Sequence, residues 1–206
     1  MKKGMCICYE VDTGLYINIT NKCSNRCSFC IRNNGDGAYG SDSLWLMREP
    51  TLDEILKAVF ERDLSLYSEI VFCGYGEPSY RLYDAAHVAK AIKERYPTLK
   101  IRINTNGQSD LILGCDSARI YSGAFDTVSI SLNTSSTEKY IEMCHPVYKE
   151  EAYQAILTFA QNVKKYVQNV VFSVVRESLS EKELAECFEI AKSVGIPLRV
   201  RTYIGP

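Results

Sequence analysis

No stretch of this chain is long, apolar and uncharged enough to suggest a membrane span. The start, Met1-Lys2-Lys3-Gly4, carries charge, but no apolar core of a signal peptide follows it, so the sequence reads as cytoplasmic. Neither sign of charge is in excess. Twenty-four Lys and Arg face 25 Asp and Glu, a net charge of -1, which argues against a large nucleic-acid footprint and leaves room only for a local patch. Histidine is scarce, and neither His87 nor His145 stands at a zinc-site spacing from another ligand. No internal repeat or low-complexity tract interrupts the 206 residues, a length that suits one domain with a continuous core.

Cysteine, by contrast, is plentiful. Nine in a cytoplasmic chain read as thiols or metal ligands rather than a disulfide framework. Cys6, Cys8, Cys73, Cys115, Cys144 and Cys187 are scattered, apart from the Cys6-x-Cys8 pair, and form no second compact cluster motif. Cys23, Cys27 and Cys30 stand as Cys-x3-Cys-x2-Cys, with Phe29 just before the last. Soft thiolates on a tight loop suit iron–sulfur ligation, and three of them leave one corner of a cubane cluster open, where an electron-transfer cluster is closed by a fourth cysteine. Two other readings are a partial zinc site completed by His87 or His145, and core thiols gathered by chance.

Strand and helix signals alternate along the chain. Strands are expected at 14–20, 68–73, 100–104, 126–132, 170–175 and 198–204, with a further strand region in 1–14 and a cluster loop with insertion over 21–50. Thr51 with Glu54, Ser135 with Glu138, and Ser180 with Glu183 fit capping boxes at helix starts. Ala85, Val88, Ala89 and Ile92 form one helical apolar stripe. Ala152, Ala155, Ile156, Phe159, Ala160, Val163 and Val167 form a second. Leu184, Cys187, Phe188, Ala191 and Val194 form a third, which Gly195 stops. The stretch 111–123 is ambiguous. Trp45 is expected to anchor the insertion over the first helix, and His145 to kink the chain at the surface. Six strands separated by helices imply a parallel sheet with right-handed crossovers: an α/β single domain, 1–206, built as a partial (β/α)6 TIM-type barrel, too short for eight units. Chemistry in such folds sits at the carboxyl ends of the strands.

Polar motifs fall at those ends. Gly74-Tyr75-Gly76-Glu77-Pro78 follows the second expected strand; by itself it is a β–α turn, in which glycine admits close backbone approach and proline fixes the exit. Asn104-Thr105-Asn106-Gly107 follows the third and by itself is an Asn-Gly turn. Ser129-Ile130-Ser131-Leu132-Asn133 ends the fourth. Ser173 interrupts an apolar run on the fifth, and a buried hydroxyl there needs a partner. Arg199 and Arg201 share a face of the last strand. They either hold an anion at the barrel mouth or bridge to helix carboxylates at the surface. Arg32 follows the triplet closely enough to sit beside a cluster.

The triplet resembles the signature of the radical S-adenosylmethionine (radical SAM) superfamily, in which the amino and carboxylate groups of SAM fill the open corner of a [4Fe-4S] cluster. Gly74 to Pro78 looks like that superfamily's Gly-Gly-Glu-Pro motif, with Tyr75 in place of a glycine. The likeness implies that Glu77 and its strand end receive the SAM ammonium, that Asn104 reaches the ribose, and that Ser131 and Asn133 face the carboxylate and ribose. Phe29, Tyr75, Gly76, Pro78, Ser173 and Arg201 complete the implied SAM site. The run Asn-Lys-Cys-Ser-Asn-Arg-Cys-Ser-Phe-Cys-Ile-Arg-Asn-Asn-Gly-Asp-Gly, with later Leu-Trp-Leu and Arg-Glu-Pro, resembles the TatD-associated radical SAM proteins, named for a neighbouring TatD-type nuclease. The resemblance implies reductive cleavage of SAM to a 5′-deoxyadenosyl radical that takes hydrogen from a substrate at the barrel mouth. It also implies a flavodoxin- or ferredoxin-type reductant and an oxygen-sensitive cluster. Other activities in view are activation of a glycyl radical enzyme and chemistry like that of 7-carboxy-7-deazaguanine synthase. Outside catalysis, the alternatives are an iron–sulfur electron carrier and a zinc-binding module.

Overall fold

Seven strands hydrogen-bond in chain order into one sheet in the computed structural model, which describes residues 3–203. They are β1 (Cys8–Val11), β2 (Gly14–Ile17), β3 (Glu69–Phe72), β4 (Lys100–Thr105), β5 (Thr127–Ser131), β6 (Asn169–Val175) and β7 (Leu198–Arg201). β1 and β2 form an antiparallel hairpin through Asp12, whose φ is 50°. All later pairs are parallel, as helical crossovers require. The sheet does not close: β1 and β7 are its edges. The six expected strands are present, and the region 1–14 supplies the seventh. Four are shorter than expected: β3 and β5 are trimmed by one residue at either end, and β2 and β7 lose more. β2 ends at Ile17 because Asn18 turns its amide onto the carbonyls of Cys6 and Leu44, at 3.1 and 2.8 Å. β7 ends at Arg201, and Ile204 lies outside the described residues.

Six helices cover the outer face: α1 (Leu52–Phe60), α2 (Leu82–Arg95), α3 (Ser109–Leu113), α4 (Thr137–Cys144), α5 (Glu150–Val163) and α6 (Glu181–Val194). Their apolar stripes pack against the sheet. Ala85, Val88, Ala89 and Ile92 of α2 and Ile156, Phe159, Ala160 and Val163 of α5 are fully buried, each larger side chain contributing about 1.5–3 kcal/mol. The ambiguous stretch 111–123 holds the end of α3 and a short 3-10 turn, Ala118–Tyr121. On α6, Cys187, Ala191 and Val194 are buried, but Phe188 lies on the open flank, 45% exposed.

The boxes at Thr51/Glu54 and Ser180/Glu183 form in full, and Gly195 caps α6 in the left-handed region. The expected Ser135/Glu138 box does not form. Ser136 is the cap of α4, accepting from the Lys139 amide, while the Ser135 hydroxyl donates to Glu186 at 2.7 Å. His145 ends α4 with φ 43°, exposed, as a surface kink. Trp45 corrects a further expectation: it meets Tyr75 edge-on at 5.2 Å, over the turn after β3 rather than over α1.

The two boxes carry a pH signature. Arg48 grips Glu54 through two hydrogen bonds of 2.7 and 2.6 Å and, with the Thr51 amide, holds that carboxyl at about 2 against an ordinary 4.5. Glu183 is held at about 2 by Lys139 and Ser180. Folded values below unfolded ones mean stability that is full above the ordinary carboxylate range and lost as pH falls through it toward about 2. A Glu54→Gln/Glu183→Gln double variant should therefore show a shallower fall of melting temperature with acid than wild type. Parallel curves would contradict this.

Candidate active site

The carboxyl ends of the parallel strands surround a cavity of about 440 Å³. Cys23, Cys27 and Cys30 line one end of it, on the loop that leaves β2. Phe29, Tyr75, Glu77, Asn104, Ser131, Asn133, Ser173 and Arg201 line it as well, so eleven of the thirteen expected site residues come together. The other two, Gly76 and Pro78, are not on its wall. A β-carbon on Gly76 would collide with the Thr20 carbonyl and come within 2.7 Å of the Lys22 carbonyl. The glycine therefore serves the close approach of the turn to the chain entering the cysteine loop. Pro78 opens the 3-10 turn Pro78–Arg81.

Glu77 is the hub of this region. It is only 4% exposed, yet its carboxylate accepts four hydrogen bonds: from the Ser79 amide (3.1 Å) and hydroxyl (2.8 Å), the Thr105 hydroxyl (2.8 Å) and the Asn106 amide (2.7 Å). Burial pushes the carboxyl up, and these donors oppose that by stabilising the anion. Its own amide donates to the Lys22 carbonyl at 2.7 Å. One residue thus joins the turns that follow β2, β3 and β4.

The cysteine loop is fixed from other sides too. The Asn106 amide group donates to Ser24 at 2.8 Å, and Gln108 to Asn25 and Tyr140 at 3.0 Å each; Asn25 itself donates to Tyr140 at 2.8 Å. The Arg26 and Ser28 amides donate to the Cys144 and Met143 carbonyls at the end of α4. Arg32 folds back onto the Asn25 carbonyl at 2.9 Å, which places it beside the cysteines as expected. Asn25, Gln108 and Tyr140 brace the cysteine loop, and sequence reasoning missed them because nothing in the chain's spacing joins them.

The thiols differ in surroundings. Burial, then Glu77, pushes Cys23 up to about 12. A hydrogen bond with Cys144, then burial, pushes Cys27 up, and burial does the same for Cys30. The Asn25 amide donates to the Cys23 sulfur at 3.4 Å, and the Arg32 amide bonds Cys30. Such N–H···S contacts suit sulfurs that carry charge as metal-bound thiolates. Among the described residues, no three Cys, His, Asp or Glu side chains close around one point as a single ion demands. A cubane takes its thiolates on three separate irons and accepts a wider triangle. The thiols, their amide donors and the adjoining cavity therefore fit a cluster with room for a ligand.

Across from the cysteines the wall is polar. Asn133 adopts φ 64° and is buried; its amide nitrogen reaches the Cys144 sulfur at 3.4 Å while its Oδ1 has no partner among the described residues. Arg102, 9% exposed, pairs with Glu69 and donates to Asn104 at 2.9 Å. Tyr9, Tyr16 and Tyr39 also line the cavity, Tyr9 buried and Tyr39 exposed at its edge. Neither Arg199 nor Arg201 makes an ion pair among the described residues, so the surface-bridge reading of these arginines is set aside. No helix among the described residues is long and apolar enough to cross a membrane.

Glu77→Gln replaces two acceptor oxygens by one and sets an NH2 group against a donor. It should cost about 1–3 kcal/mol and lower the melting temperature by several degrees, read by circular dichroism. A melting temperature within a degree of wild type would remove Glu77 from its hub role.

The Radical SAM superfamily profile matches residues 17–191, from the end of β2 into α6. The chain is similar to the GTP 3′,8-cyclase of Clostridium perfringens (strain SM101 / Type A), 26% identical over 190 residues that cover 92% of this chain and 54% of that protein. It is also similar to molybdenum cofactor biosynthesis protein 1 of Dictyostelium discoideum, 24% identical over 194 residues covering 93% and 29%. The chain thus spans about half the length, or less, of these curated relatives. In fold it resembles Streptococcus suis SuiB bound to the precursor peptide SuiA, with a TM-score of 0.67, 18% identity and coverage of 93% of this chain and 39% of that one. A radical SAM methyltransferase from Sphaerobacter thermophilus gives a TM-score of 0.61 at 15% identity, covering 95% and 68%. With the match running from the end of β2 through the cysteine loop, β3 to β6 and α1 to α5 into α6, the chain belongs to the radical SAM superfamily, whose enzymes use a [4Fe-4S] cluster and SAM.

Proposed function

We propose that Cys23, Cys27 and Cys30 carry a [4Fe-4S] cluster, that SAM takes its open corner, and that a substrate occupies the remainder of the same cavity. The observation that supports this most directly is the shared space. Three cysteines and a set of neutral hydrogen-bonding groups line a single cavity at the strand ends. When bound, the pair supplies one-electron cleavage of the sulfonium, giving methionine and a 5′-deoxyadenosyl radical that takes a hydrogen atom from the substrate.

The chain's own residues bind, orient and shield. The Asn25 and Arg32 amides hold the Cys23 and Cys30 sulfurs in place. Asn133, with its unpartnered Oδ1, and Ser131 and Ser173 beside it offer hydrogen bonds to the methionine and ribose portions of SAM. Asn104 is held by Arg102 and hydrogen-bonded to Cys73, which fixes its side chain on the cavity wall. With four protein donors on its carboxylate, Glu77 serves the ammonium chiefly by its charge and by the shape of the turn it stabilises. Phe29 and Tyr75 shield the pocket; Tyr75 is held by a hydrogen bond to the Gly35 carbonyl at 3.0 Å, and Trp45 packs behind it. Electrons would come from a flavodoxin- or ferredoxin-type protein. The wording of the cysteine loop supports placement among the TatD-associated radical SAM proteins, and with it a functional link to a TatD-type nuclease.

Anaerobically reconstituted protein is expected to be brown, to bind SAM, and to release 5′-deoxyadenosine and methionine on reduction with dithionite. Cys27→Ala should abolish all three. Wild-type protein with a full iron and sulfide complement that yields no deoxyadenosine, with or without candidate substrates, would contradict the proposal.

A further inference from the structure

Three arginines line the same cavity. Arg102 comes from β4, and Arg199 and Arg201 from β7. Their charges are not balanced alike. Arg102 is neutralised by Glu69 through two hydrogen bonds, of 2.5 and 3.1 Å, and is fixed further by Asn104. Arg199 has one weak neutral partner, the Ser129 hydroxyl at 3.3 Å. Arg201 has a buried Nε with no partner among the described residues. Neither has a carboxylate within ion-pair range among them. Burial above all depresses both guanidiniums below the usual range; Arg102 adds to this for each, and Arg201 adds to it for Arg199. Arg201 is half-buried while Arg199 is exposed; a partly buried cation without a counter-ion is costly, and a second cation beside it makes it more so. The fold keeps both on one face of an edge strand, two residues apart, aimed at the same space.

This cationic corner is separate from the cluster end. The charged side chains acting on the cluster cysteines are Glu77 and Arg32. Arg199 and Arg201 interact instead with Arg102, Cys73, Tyr16 and Tyr39, and Arg199 also feels Glu69, the carboxylate already paired with Arg102. SAM bound by its amino acid group at the cluster would set its carboxylate among the cysteines, away from these arginines.

Building on the radical SAM reading, we propose that Arg199 and Arg201 form the recognition site for a substrate bearing a compact dianionic oxyanion head, such as a phosphate ester or a pair of carboxylates. Two uncompensated guanidiniums match about two negative charges, and their planar forks suit bidentate contact with such oxygens. The rings of Tyr16 and Tyr39 beside them bound the rest of the molecule. Arg201 is thereby a substrate residue and not a SAM residue.

The test is titration calorimetry on anaerobically reconstituted holoenzyme, with inorganic pyrophosphate and succinate as probes at matched ionic strength, and with SAM titrated separately. At least one probe should bind wild type. Arg201→Ala and Arg199→Ala should each weaken that binding about tenfold or more, with Arg199→Lys retaining part of it, while SAM affinity and melting temperature stay near wild type. Pyrophosphate alone binding assigns a phosphate head; succinate alone assigns a dicarboxylate. If neither probe binds while SAM does, this inference falls and the radical SAM reading stands. If Arg201→Ala weakens SAM instead, the arginines hold the cofactor and the inference is overturned. If wild type fails to bind SAM at all, the functional reading itself has failed.

Discussion

A buried carboxylate with four donors holds the site of this protein together. Glu77 accepts from the amide and hydroxyl of Ser79 in its own turn and from the Thr105–Asn106 turn, and its amide grips the chain entering the cysteine loop. A charge so deeply placed is tolerable only when fully hydrogen-bonded, so the arrangement is all-or-none. That property makes it useful. Three separate β–α turns must adopt one relative geometry before the charge is satisfied, and the cysteines ride on the first of them. Gly76 contributes by admitting the backbone contact that any β-carbon would block.

The interior of the barrel-like sheet departs from a packed core. Tyr16, Cys73, Arg102, Asn104, Ser129, Ser131 and Ser173 face inward where many parallel barrels place branched aliphatic side chains. Apolar packing is carried instead by the outer layer, between the sheet and α2 and α5. This division leaves the lumen wet, roomy and chemically varied. Neutral amides and hydroxyls gather opposite the cysteines, while unbalanced positive charge gathers beneath β7. One cavity therefore offers two kinds of recognition, which an enzyme bringing a cofactor and a substrate into contact requires.

Much of this was legible in the chain because the signals were local. The triplet spacing, the turn after β3, two capping boxes and the period of α2 and α5 all depend on residues within a few positions of one another. The third box was misread by one residue. Ser135 and Ser136 both carry hydroxyls, and the choice between them was made by Glu186, a residue distant in sequence. The Asn25–Gln108–Tyr140 network was illegible for the same reason, since its members lie 83 and 115 positions apart. Alternation along β4 put Arg102 and Asn104 on one face, and the likeness brought Asn104 into the site, but the pairing of Arg102 with Glu69 of β3 became visible only in the fold. Trp45 was assigned to α1 by proximity in sequence; the hairpin-side insertion carried it to Tyr75 instead.

Hyperfine spectroscopy of the reduced cluster with SAM labelled with nitrogen-15 in its amino group is the most direct measure of this account. A vacant iron beside three thiolates should accept that nitrogen, and the label should appear as a coupling to the cluster spin that is lost when unlabelled SAM replaces it. A cluster signal indifferent to SAM, with the ligation of four protein side chains, would contradict it.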